Sequence, residues 1–199
     1  GFEMWLLLIL MVVSSFSLLG DLGEAKPYNN RFSFSKTLDA KMKCYPYRHK
    51  MGWLKGYMNF FLPIYLLILV FSLTDNVYDS QSSADGAMIF QMVLQGIQIA
   101  MILVNIIFLR DINKFSYWFN VATCIVVGTC FILPSIIISL VGVFSGSNSI
   151  ENYFNFLLII DVLLMLALWG GTIAYFHIRK ELFMKTEAEL HKEYGSIED

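Results

Sequence analysis

Apolar residues in this chain gather into five stretches, Trp5–Leu19, Trp53–Leu73, Ala87–Leu109, Trp118–Phe144 and Tyr153–Phe176, separated by shorter polar intervals. The last four are each long enough to cross about 30 Å of hydrocarbon at about 1.5 Å per residue. The pattern predicts an all-α fold, a polytopic integral membrane bundle of five transmembrane helices. It divides the chain into a first segment over 1–20, a loop over 21–52, a four-helix core over 53–176 and a helical tail over 177–199. No internal repeat or low-complexity tract interrupts it.

The first segment supports more than one reading. Its 15 residues are short for a span and suit the apolar region of a signal peptide, with Gly23-Glu24-Ala25 as a small-residue cleavage site. A cytoplasmic or interfacial segment is a further alternative. Charge separates the readings. The 21–52 loop holds seven bases, Lys26, Arg31, Lys36, Lys41, Lys43, Arg48 and Lys50, against three acids. Loop 74–86 holds only Asp75, Asp79 and Asp85; the next turn has Arg110 and Lys114; 145–152 has Glu151 alone; the tail has Arg179, Lys180, Lys185 and Lys192. Bases alternate present and absent, as the positive-inside rule requires of an uncleaved first span, an external amino terminus and a cytoplasmic carboxyl terminus. A cleaved leader would invert the whole pattern. Trp5, Trp53, Tyr57, Tyr117, Trp118, Tyr153 and Tyr175 fall near span ends, where interfacial anchors are expected.

Composition agrees: 57% of the residues are hydrophobic and 15% charged, against about 45–50% and about 25% for soluble domains. The lipid bilayer is therefore the first partner. Within the basic loop, Phe32, Phe34, Leu38 and Met42 with interspersed lysines suit a short amphipathic helix against anionic lipid headgroups, or an irregular loop packed on the bundle. The tail from His177 to Tyr194 lacks Pro and Gly and reads as one solvated helix continuing the last span.

Polar groups inside spans are costly and usually face the bundle interior. Asp161 is the one acid in a span centre, and Gln91, Gln95, Gln98 and Asn105 recur at spacings that share a helix face. With spans alternating in direction, Gln95, Gln98, Ser135, Ser139 and Tyr65 share the depth of Asp161. They would form a hydrogen-bonded belt in the outer half, with Asp161 protonated or bound to water or a cation. The belt serves as interhelical glue, as an ion or proton site, or as a contact face for another membrane subunit. Pro134 predicts a kink in the fourth span, and Gly170-Gly171 a close helix approach.

No catalytic constellation, phosphate loop or metal-ligand spacing is present. Cys44, Cys124 and Cys130 form no pair, and the three histidines lie outside the apolar stretches. Neither a cofactor, a metal nor a nucleic-acid partner is expected.

Gly52-Trp53-Leu54 running through Leu62-Pro63 into a span, and the closing Trp169, Tyr175, Arg179 and Phe183, resemble a group of bacterial four-span membrane proteins of uncharacterised function. The resemblance covers residues 52–183 at most. It implies a four-span core and no activity. Members of that group often carry a cytoplasmic zinc ribbon before the first shared span, where this chain has only Cys44. The expectation is a non-enzymatic subunit packing against another membrane protein subunit, in a bacterial inner membrane. The alternatives are a small proton- or cation-coupled transporter or channel centred on Asp161 and the glutamine stripe, and a membrane sensing component.

Overall fold

The computed structural model describes residues 2–22, 34–45, 50–82, 85–144 and 149–195, with side chains at all of these except 2–4, 131–144, 149–155, 157 and 158. Regular structure among them is helical throughout: α1 (Phe2–Asp21), α2 (Lys36–Met42), α3 (Gly52–Gly56), a π turn (Tyr57–Phe61), α4 (Leu62–Ser80), α5 (Gly86–Phe108), α6 (Lys114–Phe144), α7 (Ser149–Ile178), α8 (Lys180–Met184) and α9 (Glu187–Tyr194). Three stretches among the described residues are long and apolar enough to cross a membrane: the rod Gly52–Ser80, Gly86–Phe108 and Ile159–Ile178. α6 is helical for 31 residues, and α1 carries a shorter apolar run, Trp5–Asp21.

Caps delimit these helices. Asp85 Oδ1 accepts the Met88 N–H at 2.8 Å to open α5, and Asn113 Oδ1 accepts the Ser116 N–H at 2.9 Å to open α6. The π turn inside the long rod ends two residues before Pro63, which has no N–H to give the carbonyl four residues back. Leu62 N–H bonds instead to Tyr57 O, five residues back, widening the helix where the proline enters.

The long helices form an up-and-down ring. α4 packs on α5, α5 on α6, α6 on α7, and α1 closes the ring by packing on both α7 and the α3–α4 rod. Trp53, Tyr57, Phe61 and Tyr65 recur every fourth residue and stack along one face of the rod, and Trp169 of α7 meets the last three edge-on. Such tilted and edge-to-face pairs contribute about 0.5–1.5 kcal/mol each beyond area burial. Trp53, Tyr57 and Tyr175 are thus core residues rather than interfacial anchors, whereas Trp5 and Trp118 remain exposed. A ring near a span end serves either purpose, depending on whether its helix face turns inward.

Gly171 lets α1 approach: a Cβ there would lie 2.8 Å from Leu18 Cδ2, while at Gly170 nothing lies within 4 Å. Gly171→Leu should therefore cost about 1–3 kcal/mol by overpacking, and Gly170→Leu close to nothing. Thermal unfolding of both variants in mild detergent checks the difference, with equal effects counting against this contact.

The tail departs from the continuous solvated helix expected of it. The chain breaks at Arg179 (φ −100°, ψ 17°) and again at the extended Lys185, and Thr186 recaps α9 by accepting the Glu189 N–H. Leu182, Phe183 and Leu190 are buried; α8 seats against α6 and α7, and α9 against α2. Three apolar side chains with a place to dock outweigh the helical propensity of the intervening residues. α2 is the short helix of the basic loop, with Leu38 and Met42 buried and Phe34 exposed. Phe32 and the Gly23-Glu24-Ala25 triplet lie outside the described residues.

Candidate functional site

The sequence-expected belt residues are distributed over several neighbours. Gln95 Nε2 donates to Ser72 Oγ at 2.9 Å and its Oε1 accepts from Asn76 Nδ2 at 2.8 Å, tying α5 to α4. Gln98 donates back to Leu94 O of its own helix at 3.3 Å. Gln91 is exposed. Tyr65 is buried between the Phe61 and Trp169 rings. Asp161 is partly exposed on α7 and has no hydrogen-bond or ion-pair partner among the described residues. The helix of α6 runs through position 134, and the side chains of Pro134, Ser135 and Ser139 lie outside the described residues.

Asn105 belongs to a separate buried layer. Asn120 Oδ1 accepts both the Tyr57 O–H at 2.7 Å and Asn105 Nδ2–H at 2.8 Å, joining the π turn, α5 and α6; Cys124 Sγ lies 3.5 Å from the Tyr57 hydroxyl. Asn105 and Asn120 are fully buried, yet Asn105 Oδ1, Asn120 Nδ2 and Trp169 Nε1 have no partner among the described residues. Unmade bonds on buried amides cost about 1–3 kcal/mol each, so this layer is a strained polar seam in an otherwise aromatic core.

The densest polar constellation lies at the basic end of the ring, where α1, the start of α3 and the end of α7 meet. Asp21, the last residue of α1, extends its carboxylate onto the N-terminus of α3: its Oδ2 accepts the Trp53 N–H and lies 3.1 Å from the Tyr175 hydroxyl. Met51 provides no side-chain cap, so Asp21 acts as the cap from another helix, with its negative charge at the positive end of a 29-residue rod. Gly52 permits this, since a Cβ there would meet both carboxylate oxygens, at 3.1 and 3.2 Å.

Arg179 completes the knot. Its guanidinium donates to Lys50 O from Nε at 2.9 Å and Nη2 at 2.6 Å, to Tyr175 O from Nη1 at 3.1 Å and to Asp21 O from Nη2 at 3.2 Å. It also lies over the Tyr175 ring, with Cζ 3.4 Å from the centroid. The charge therefore sits on the carbonyl-rich C-terminal ends of both α1 and α7, the favourable sign for each dipole. Burial pushes the guanidinium pKa down, while Tyr175 and Asp21 pull it back up. Tyr175 donates to Lys50 O at 2.6 Å, and Trp53 Nε1 donates to Thr172 Oγ1 at 3.2 Å.

Sequence reasoning did not single out Asp21, Lys50, Asn120 or Thr172. One signal was available: Asp21 lies just past the end of an apolar stretch, at the head of a loop with a net positive charge. Chemically the knot is a clasp. Its groups are satisfied by one another, and no group of three or more His, Cys, Asp or Glu residues that could hold a metal occurs among the described residues.

Compared with known protein families, curated proteins and solved structures, the chain matches none.

Proposed function

We propose that this chain is a five-span, non-enzymatic membrane subunit that packs against a larger membrane partner through the face of α7 around Asp161. The observation that carries the reading is the setting of that carboxyl. It is half-buried on α7 with no bonding partner among the described residues, and Gln95 and Gln98 make their bonds elsewhere. An acid at mid-span costs about 2.5–3.5 kcal/mol on insertion scales, and a polar group on a partner helix would offset it.

Five crossings are favoured by two features. α6 supplies ample length, and α1 occupies a place in the ring between α7 and the α3–α4 rod, with Asp21 and the Arg179 clasp at its end. Retention of α1 with the alternating bases puts the clasp, α2, α8 and α9 on the cytoplasmic side. Short turns suit a bacterial inner membrane.

A photo-cross-linking residue at position 161, with one at lipid-facing Ile97 as control, tests the reading in native membranes. Position 161 should give a protein adduct of defined mass and position 97 only lipid, and Asp161→Asn should weaken co-purification without altering ion flux in reconstituted vesicles. Lipid adducts alone at 161, with proton- or cation-coupled flux that Asp161→Asn abolishes, would replace this reading with the transporter.

A further inference from the structure

A cleft of about 330 Å³ opens at the same end of the ring, its lining including Lys41, Asn113, Lys114, Phe115, Lys185 and Thr186. Three separate segments meet there: α2, the turn into α6, and the α8–α9 junction. Lys41 is unusual for a lysine in being buried, at 5% exposure. It donates to Leu182 O at 3.0 Å and to Ile112 O, so that two of its three N–H groups hold the segments together. Burial pushes its pKa below the ordinary 10.5, and the more distant Asp111, Glu189 and Glu187 only partly reverse this.

Charge in the cleft is one-sided. Among the described residues neither Lys41 nor Lys114 makes an ion pair, whereas Lys185 bridges Glu181 at 2.7 Å and Glu193. Asp111, the nearest acid of the turn, is engaged by Thr37 and Asn113. No carboxylate lines the cleft. The N-termini of α6 and α9, capped by Asn113 and Thr186, both open onto it, adding positive ends of helix dipoles. The other wall is apolar. Phe115, 57% exposed, continues outward into a Phe108–Phe115–Phe119 ring cluster on the surface of the bundle.

We propose that this cleft binds an anionic phospholipid, with the headgroup phosphate between Lys41 and Lys114 and an acyl chain over Phe115. The cationic pocket and apolar wall are adjacent at the basic end of the spans, where headgroup and hydrocarbon meet in a bilayer. Its volume lies near the lower end of small-molecule pockets, about 300–1,000 Å³. The proposal rests on the membrane reading and is independent of any protein partner at Asp161.

The full chain in a neutral detergent is titrated with dioctanoyl phosphatidylglycerol, dioctanoyl phosphatidylcholine or inorganic phosphate, following thermal stability and native mass. Phosphatidylglycerol should bind and stabilise, with the other two inert. Lys114→Gln, at an exposed position that holds no structural bond, should weaken binding about fivefold. Arg110→Gln removes the same charge from the same turn outside the cleft and should leave affinity unchanged. Phe115→Ser should weaken phosphatidylglycerol binding, read as lost ligand-induced stabilisation against that variant's own unliganded baseline, since the ring also pairs with Phe108 and Phe119. Equal losses from Lys114→Gln and Arg110→Gln would mean diffuse attraction and overturn the pocket. Equal binding of inorganic phosphate would overturn the lipid assignment, and no binding by the parent protein would overturn both.

Discussion

Arg179→Met should destabilise the protein by about 3–5 kcal/mol, the range for removing one member of a buried charged set. The substitution keeps much of the apolar stem, so packing loss is small. What disappears are four charge-assisted bonds to the carbonyls of Asp21, Lys50 and Tyr175, and these carbonyls would remain at a closed helix junction. Arg179→Lys should recover only part of the loss, because a single ammonium cannot reach three diverging carbonyls as a planar fork does. Asp21→Ala should cost about 1–2 kcal/mol as a lost cap. The two effects should fall short of adding, since both variants release α1 from the same junction. Thermal unfolding in mild detergent measures all three, and limited proteolysis after residue 22 reports whether α1 has come free. An Arg179→Met protein as stable as the parent would remove the clasp from the account.

Asn120→Leu should cost about 2–4 kcal/mol, from two buried donors losing their shared acceptor at about 1–3 kcal/mol each. Individual hydrogen bonds in membrane proteins average nearer 0.6 kcal/mol, because the unfolded chain in the bilayer finds other partners. The larger figure applies here because Tyr57 and Asn105 are fully enclosed, and among the described residues the other acceptor in reach is Cys124 Sγ, a weak one, 3.5 Å from the Tyr57 hydroxyl. Asn105 Oδ1 and Asn120 Nδ2 already lack partners, so the triple change Tyr57→Phe, Asn105→Leu, Asn120→Leu removes the strained seam with its bonds. Its stability should return to within about 1 kcal/mol of the parent, since replacing all partners by apolar groups is nearly neutral. A triple variant less stable than Asn120→Leu alone would show that the layer is a net stabiliser.

Much of the clasp was visible in the sequence only as unrelated fragments. Gly52-Trp53 and Tyr175…Arg179 stood out as short patterns, but their meaning depends on Asp21, which is 31 residues before Gly52 and 158 before Arg179. Asp161 was found because an acid in an apolar run is conspicuous wherever it points. Its neighbours were inferred from depth alone, and depth cannot say which way a side chain turns around the helix axis. Gln95 shares that depth and turns to Ser72 and Asn76 instead.

Length and hydropathy are properties of position along one dimension, and they sufficed for the all-helical class and for the positions of the long helices. Helix rotation, the choice of neighbour and the closing of the ring by α1 depend on which faces interlock in three dimensions. That packing sent Arg179 to three carbonyls, paired Asn105 with Asn120 and folded α8 and α9 back onto the bundle. A tail that reads as soluble helix becomes a docked pair of short helices because Leu182, Phe183 and Leu190 find seats against α2, α6 and α7, and no local pattern encodes those seats.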